Sequence, residues 1–239
     1  MLWDTPPVES SSRALLEQSL PTEKARLYAV STKESGAWLN ALPVSTLGNR
    51  LDDNSFKISV GLRLGAKLCE THICRCGTKV DSTVRHGLAC KHSAGGHSRH
   101  DALNDIIHRA LTSCQVHNVR EPNGLMHDGN MRPDGLTLVP WYQGKALAWD
   151  VAVVDTLAQT YLQGSTNQVG YTANQAEEKK RKYEELEGRY LFCPVGFETY
   201  GVFGNEAREL VEKIGKKVAA RTGKPRSLSF LKQKISIGN

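Results

Sequence analysis

The sequence predicts an α/β fold built on a mixed sheet, and three observations support this. The length of 239 residues suits one large domain or two small ones, at about 100–200 residues per domain. With 39% hydrophobic and 23% charged residues, the chain can bury a core. From Arg99 onward the pattern runs helix, three strands, helix, strand, helix, an order typical of helices packed on a mixed sheet.

The first 68 residues contain no Cys or His and are expected to form a helical segment. A helix is expected from Ser11 to about Val30, interrupted by Pro21 because proline lacks a backbone N–H. Asp52 or Asp53 caps a second helix, which ends at Gly65. We therefore assign residues 1–68 to a helical N-terminal segment, residues 69–98 to a Cys/His segment and residues 99–239 to the α/β core.

The core elements follow from apolar periodicity. Leu103, Ile106 and Ile107 share one face of a helix predicted over residues 101–111. The other predicted elements alternate between strand and helix patterns. They are strands over 116–121, 131–141, 145–154 and 190–199, a turn at 142–144, and helices over about 173–188 and 206–221.

Cysteines and histidines cluster in the middle of the chain. Four of the six cysteines lie between Cys69 and Cys90, and all eight histidines lie between His72 and His127. Such clustering favours a metal site over disulfides in a protein expected to be intracellular. The ligand set predicted for one structural zinc ion is Cys74, Cys76, His86 and Cys90. Cys69 and His72 are surplus donors that could substitute, and buried thiols with surface histidines are the alternative.

Asp150 is the most unusual residue of the core, because it interrupts the apolar run Ala146–Val154. A lone buried carboxylate is costly, so it needs a cation, a proton or strong donors. If the hairpin turns near residue 142, Asp134 faces Asp150 across the strand pair, whereas a turn shifted to Gly144 would offset the two acids by a few residues. Glu121 from a third strand completes an oxygen-rich pocket suited to Mg²⁺. The alternative is that Asp134 caps a turn and Asp150 pairs with an arginine.

The helix after the apolar strand carries a lysine pair. Lys179, Lys182 and Tyr183 share one helical face, and Tyr183 favours burial of that face. A lysine on a buried face is a candidate for a functional site. A solvated charge run from Glu177 to Glu185 is the competing interpretation.

Positive charge dominates the end of the chain. The formal net charge is +6, and the segment from Lys213 to Asn239 contains basic residues and no acid. This balance suits a phosphate-bearing partner, although a solvated tail explains it equally well. The residues we expect to contact nucleic acid are Arg99, His100, Lys216, Lys217 and Arg221. No stretch approaches the ~20 apolar residues of a membrane-spanning helix, and residues 1–20 lack a secretory signal, so we expect no membrane association.

Taken in order, these motifs resemble the restriction-like, PD-(D/E)XK endonuclease region of site-specific non-LTR retrotransposon polyproteins. The matching motifs are Cys74, Cys76, His86 and Cys90, then Arg99-His100, Glu121-Pro122, Arg132-Pro133-Asp134, Asp150, and Lys179-x-x-Lys182-Tyr183. The resemblance covers roughly residues 69–200, and the N-terminal segment is similar to the linker that follows a reverse transcriptase. Ala152 stands where the usual lysine follows the second acid.

The resemblance implies a restriction-endonuclease-like mixed sheet flanked by helices, with a small zinc knuckle. It implies hydrolysis of DNA, with Asp134, Asp150 and Glu121 holding Mg²⁺ or Mn²⁺, a lysine from Lys179 or Lys182 assisting, and Tyr183 positioning it. It also implies nuclear localisation and a reverse transcriptase as partner, in the same or another chain; RNA as substrate stays open. A non-catalytic, zinc-stabilised nucleic-acid-binding module is the alternative, as is a polyprotein fragment inactive without its polymerase.

Overall fold

The computed structural model describes residues 5–90, 92, 94–125, 132–180 and 189–239. Its helices are α1 (Thr5–Gln18), α2 (Pro21–Val30), α3 (Asp53–Leu64), α4 (Arg85–Ala89), α5 (Ala94–Ser113), α6 (Leu162–Ser165), α7 (Tyr171–Lys180), α8 (Asn205–Thr222) and α9 (Ser227–Gly238). Its strands are β1 (His72–Ile73), β2 (Lys79–Val80), β3 (Asn118–Arg120), β4 (Gly135–Thr137), β5 (Ala146–Val154) and β6 (Tyr190–Glu198). None of the described helices has the length and apolar character needed to cross a bilayer.

The predicted α/β class with a mixed sheet is confirmed. The sheet has the strand order β3-β4-β5-β6, in which the first two pairings are antiparallel and β5–β6 is parallel. Strands β1 and β2 form a separate antiparallel hairpin. The parallel pair needs a crossover connection, and α6 and α7 lie within it.

The sheet separates two layers of helices. Alternate β5 residues Leu147, Trp149 and Val151 are buried in the main core, together with apolar side chains of α5, α8 and α9. Because successive strand side chains point to opposite faces, Asp150 points to the other face, on which α7 packs. The main core is therefore one-sided, and the acid lies on the side away from it.

The β4–β5 hairpin has the predicted turn. Tyr142 and Lys145 exchange backbone hydrogen bonds at 3.3 and 3.0 Å, and Gln143 and Gly144 have φ values of 47° and 76°. Two left-handed central residues are typical of a type I′ turn. Strand β4 is much shorter than the predicted run over 131–141. It ends early because the hydroxyl of Thr137, rather than a backbone carbonyl, accepts the N–H of Leu147 at 2.9 Å.

The N-terminal segment is helical as expected, although α1 begins at Thr5, before the predicted start at Ser11. Pro21 begins α2, and the Asp52 side chain caps α3 by accepting the N–H groups of Asn54 and Ser55 at 3.0 Å. Gly65 ends α3 in the left-handed conformation. A small core of α2 alanines, Leu157 and Val202 joins this segment to the loops after β5 and β6.

The structure differs from the sequence interpretation at one assigned boundary and in the C-terminal segment. Helix α5 begins at Ala94, so the boundary assigned between residues 98 and 99 cuts through a helix. The basic C-terminal segment is not a solvated tail, because α9 buries Leu231 and Ile235 in the main core. Lys232 of α9 lies 3.4 Å from a carboxylate oxygen of Glu34. Leu231 and Ile235 have helical spacing, but in the sequence this apolar face is obscured by the many basic residues of the segment.

Two buried carboxylates hold the helices around β6 in place. Glu198 accepts the N–H of Ala173 at the start of α7, at 3.2 Å. Glu177 of α7 accepts N–H groups from Gly196, Glu206 and Ala207 at 3.0, 3.0 and 2.9 Å, the last two at the start of α8. Burial raises the pKa of Glu177 although these donors counteract it. Glu177 is thus a helix-capping residue and not the start of a solvated charge run.

We expect Glu177→Ala to lower the free energy of unfolding by at least about 3 kcal/mol, because two buried N–H groups and one half-buried N–H group lose their acceptor at about 1–3 kcal/mol each. Urea denaturation of the purified protein measures this change. Glu178→Ala is the matched control, since Glu178 is the next residue and is exposed. A similar small effect of both substitutions would contradict the capping role.

Candidate functional site

The four predicted zinc ligands come together in the segment formed by β1, β2 and α4, which we call the knuckle. The ligand atoms of Cys74, Cys76, His86 and Cys90 all lie within 4.8 Å of one another. The sulfurs of Cys74 and Cys90 are 3.8 Å apart, and the Cys76 sulfur is 3.1 Å from Nε2 of His86. Two sulfurs bound to one tetrahedral zinc at ~2.3 Å are separated by about 3.8 Å. The cluster can therefore hold a metal ion such as zinc.

Local structure explains how the four ligands meet. Cys74 and Cys76 lie in the turn between β1 and β2, which Gly77 closes with a φ of 85° and an N–H bonded to the Cys74 carbonyl at 2.8 Å. His86 lies on α4 and Cys90 is the C-cap of this helix, and the N–H of Cys90 donates to the carbonyl of His86 at 2.9 Å, so the two side chains lie one turn apart. Val84, the residue directly before α4, adopts the left-handed conformation with a φ of 60°.

The surplus donors lie outside this cluster. Cys69 and His72 contact each other, with the sulfur 3.9 Å from Nδ1, and Cys69 also lies 3.4 Å from the carbonyl of Asp81.

Hydrogen bonds from the side chain and backbone of Thr78 lower the pKa of the Cys76 thiol to about 6. A thiol with that pKa is largely in the thiolate form that binds metals at neutral pH.

The knuckle is tied to the rest of the protein by two arginines. Arg85 of α4 pairs with Glu23 of α2. Arg99 of α5 donates to the carbonyl of Leu88 at 2.7 Å. Arg99 is thus half-buried against the knuckle.

Asp134 and Asp150 are neighbours on adjacent strands. Gly135 pairs with Trp149 in the β4–β5 register, so extending the register by one residue brings Asp134 opposite Asp150. Opposed residues of an antiparallel pair have Cα atoms about 4.5–5.5 Å apart. The carboxylate of Asp134 also accepts the N–H of Val151 at 2.6 Å, directly after Asp150.

His100 is the second partner of Asp134. Its Nε2 lies 3.0 Å from Oδ2 of Asp134, so both recorded bonds end at the same oxygen. Burial alone would raise the pKa of Asp134, but the bonds from His100 and Val151 lower it to about 2. His100 therefore contacts an acid of the candidate site, whereas the sequence predicted a contact to nucleic acid.

Sequence reasoning missed Asn104, which supports His100 from the next turn of α5. Asn104 is 2% exposed and its amide nitrogen lies 3.4–3.5 Å from the two ring nitrogens of His100. Its side-chain oxygen accepts the indole N–H of Trp149 at 3.1 Å. The i, i+4 spacing of His100 and Asn104 was the available signal.

The other sequence-predicted site residues are not gathered around the two aspartates. Glu121 pairs with Arg132, and its side chain is 56% exposed. Among the described residues, only the Cys/His cluster brings three or more potential metal-ligand atoms within 4.8 Å of one another. Glu121 therefore does not form a three-acid cluster with Asp134 and Asp150. The amine of Lys179 donates to the hydroxyl of Tyr161. Lys182 and Tyr183 lie outside the described residues.

The predicted basic contact residues lie on α8. Lys216, Lys217 and Arg221 are exposed on this helix. Lys217 lies 4.8 Å from the ring centroid of Trp141, and Arg221 donates to the side-chain oxygen of Gln115. These residues form a basic surface next to the β4–β5 turn. Asp155 directly follows β5, and its carboxylate caps a turn by accepting the N–H of Leu157 at 3.1 Å.

Comparison with protein-family models and with curated proteins finds no match to this chain.

Proposed function

We propose that the chain is a metal-dependent endonuclease with a restriction-endonuclease-like core, which hydrolyses phosphodiester bonds of DNA. The single observation that carries this proposal is the adjacency of Asp134 and Asp150. The Asp134 side chain is 16% exposed and Asp150 is 6% exposed, so both carboxylates are largely shielded from solvent. Two carboxylates on neighbouring positions repel each other, and a cation bound between them stabilises the pair.

The donor set fits Mg²⁺ or Mn²⁺, which prefer carboxylate oxygens. Asp134 is ionised throughout the neutral range because its pKa is held near 2. A bound ion would lower the pKa of a coordinated water and neutralise charge on the scissile phosphate. Asp134 and Asp150 would hold that ion.

His100 is assigned to positioning. Its ring and the Val151 N–H share one oxygen of Asp134, which fixes the orientation of that carboxylate. Asn104 holds the ring from the neighbouring turn. A preorganised carboxylate does not have to reorient when the reaction proceeds, and preorganisation of this kind lowers barriers in active sites.

We assign the role of the catalytic lysine to the helix that follows β5. Either Lys179 or Lys182 would orient the attacking water or stabilise the pentavalent phosphorane, and Tyr183 would position the lysine. These assignments rest on the resemblance and on helical spacing. A retrotransposon origin, a nuclear site of action and association with a reverse transcriptase belong to the same proposal.

Binding of nucleic acid is assigned to the knuckle and the basic surface of α8. We expect Lys216, Lys217 and Arg221, changed together to Gln, to weaken binding of duplex DNA. Each lost phosphate contact reduces the slope of log K against log salt by about 0.9, so the slope falls by up to ~2.7. Fluorescence anisotropy at several salt concentrations measures it.

The control for this prediction is a triple variant of equal charge on the N-terminal segment. Arg13, Lys57 and Lys67 are exposed there and serve that purpose when changed to Gln. An equal change of slope in both triple variants would show that net charge, and not this surface, governs binding.

The alternative function is a non-catalytic, zinc-stabilised nucleic-acid-binding module. Three observations favour it: Ala152 replaces the usual lysine, Glu121 is engaged by Arg132, and Lys179 is engaged by Tyr161. The discriminating experiment is incubation of the purified, zinc-loaded chain with labelled duplex DNA and with RNA, in Mg²⁺ and in Mn²⁺. Metal-dependent cleavage supports the endonuclease, whereas binding without cleavage in either metal supports the module.

A further inference from the structure

A cavity of about 450 Å³ lies between the N-terminal segment, the knuckle and the core. Its walls come from α2 and α3, the end of α4, the start of α5, the turn after β6 and the end of α9. Trp38, Ile58 and Leu62 contribute apolar surface, and Ser35 and Ser59 contribute hydroxyl groups. The volume lies in the range of small-molecule sites, about 300–1,000 Å³.

Two arginine side chains line this cavity, Arg63 and Arg99. Arg63 donates to the hydroxyl of Ser35 at 3.1 Å and to the carbonyl of Val30. The terminal nitrogen of Arg99 donates to the carbonyl of Leu88, but its Nε is buried and has no hydrogen-bond partner. Within the described part of the chain, neither guanidinium forms an ion pair within 4.0 Å.

Charge balance at these arginines is incomplete. Burial lowers the pKa of both guanidinium groups, and the negative charge of Asp155 partly offsets this for Arg99. The Asp155 carboxylate is itself engaged by Leu157 and Thr199 at 3.1 and 3.4 Å. Removing a cation from water costs several kcal/mol unless an anion and further hydrogen bonds compensate. Carbonyls and hydroxyls supply only part of that compensation.

We propose that this cavity binds a phosphate group between Arg63 and Arg99. Guanidinium groups match the geometry of phosphate oxygens and bind them through two parallel hydrogen bonds, which would give Arg99 Nε its missing partner. The phosphate comes either from a small molecule or from a nucleic-acid backbone. The proposal is independent of the proposed nuclease activity, since Asp134, Asp150 and His100 do not line the cavity.

Titration of the purified, zinc-loaded full chain with inorganic phosphate tests the proposal, with ionic strength held constant by sodium chloride. We expect saturable binding in isothermal calorimetry. Arg99→Gln and Arg63→Gln are each expected to weaken it at least tenfold, because each variant removes a cation that donates charge-assisted hydrogen bonds to the phosphate. Arg109→Gln is the matched control, since Arg109 is exposed on the same helix and pairs with Asp105. It should bind phosphate as the unmodified protein does.

Two results would overturn the proposal: no saturable phosphate binding by the unmodified protein, or equal affinity in Arg63→Gln, Arg99→Gln and the control. The first result does not depend on whether any variant folds, and circular dichroism verifies the folding of the variants. A 12-base-pair duplex added as competitor separates the two sources. Displacement of phosphate by the duplex indicates a backbone phosphate, and undiminished phosphate binding indicates a small phosphorylated molecule.

Discussion

Asp150→Asn is expected to abolish Mg²⁺-dependent nicking of supercoiled plasmid DNA, with a fall in rate of at least about a hundredfold. The reason is that amide substitution keeps the shape of this buried side chain but removes one of two adjacent charges that would bind the ion. Loss of one preorganised electrostatic contact costs about 10²–10³ in rate in well-studied active sites. Gel quantification of nicked and supercoiled plasmid measures the change.

Asp155→Asn is the matched control for this experiment. Asp155 follows the same strand, and its carboxylate oxygen caps a turn by accepting the N–H of Leu157, a bond that asparagine retains. We expect Asp155→Asn to nick plasmid at nearly the unmodified rate, and both variants to bind DNA as before. If the two variants cut equally well, Asp150 has no catalytic role and the endonuclease proposal fails.

Removal of one zinc ligand has the second large expected effect. Cys76→Ser should reduce bound zinc from about one ion per chain to a small fraction and should unfold the knuckle. In small knuckles the free energy of zinc binding, on the order of 10 kcal/mol, is also the free energy of folding. The knuckle consists of two-residue strands and a five-residue helix, which have little core of their own. Elemental analysis gives the zinc content, and hydrogen exchange reports the opening of β1, β2 and α4.

Cys69→Ser provides the comparison for the zinc ligand. Cys69 lies five residues before Cys74 but outside the four-ligand cluster. We expect this variant to retain its zinc and the protection of the knuckle. Zinc content unchanged in Cys76→Ser, or lost equally in Cys69→Ser, would show that the ligand set is different from the one assigned.

The two candidate sites were predictable from sequence to different degrees. The knuckle ligands lie within 17 consecutive positions, Cys74 to Cys90, so local spacing alone indicated them. Choosing between these four and the surplus donors Cys69 and His72 required the geometry of the β1–β2 hairpin. The acid pair could not be placed from the turn alone. The turn pairs Tyr142 with Lys145, a register that would place Asp134 opposite Val153. Strand β4 pairs with β5 three residues away from that register, and this shift opposes Asp134 to Asp150.

Contacts between residues far apart in the chain could not be read from patterns. The bond between His100 and Asp134 spans 34 residues, and Glu177 caps a helix that begins 28 residues later. Lys179 has helical spacing consistent with a buried site, yet its amine is bonded to Tyr161. Helix α9 was missed because its lysines dominated the composition of the C-terminal segment.

By itself the amino-acid sequence determined the α/β class, the order of the main helices and strands and the Cys and His residues of a cluster that can hold a metal ion, since these depend on periodicity and short spacing. Only the tertiary structure decided which polar groups share an environment. In the tertiary structure His100 bonds to Asp134, and Glu121 pairs with Arg132. Arg63 and Arg99 line one cavity. The physical reason is that the partner of a buried charge is set by the packing of distant elements, and periodicity within one element contains no information on that packing.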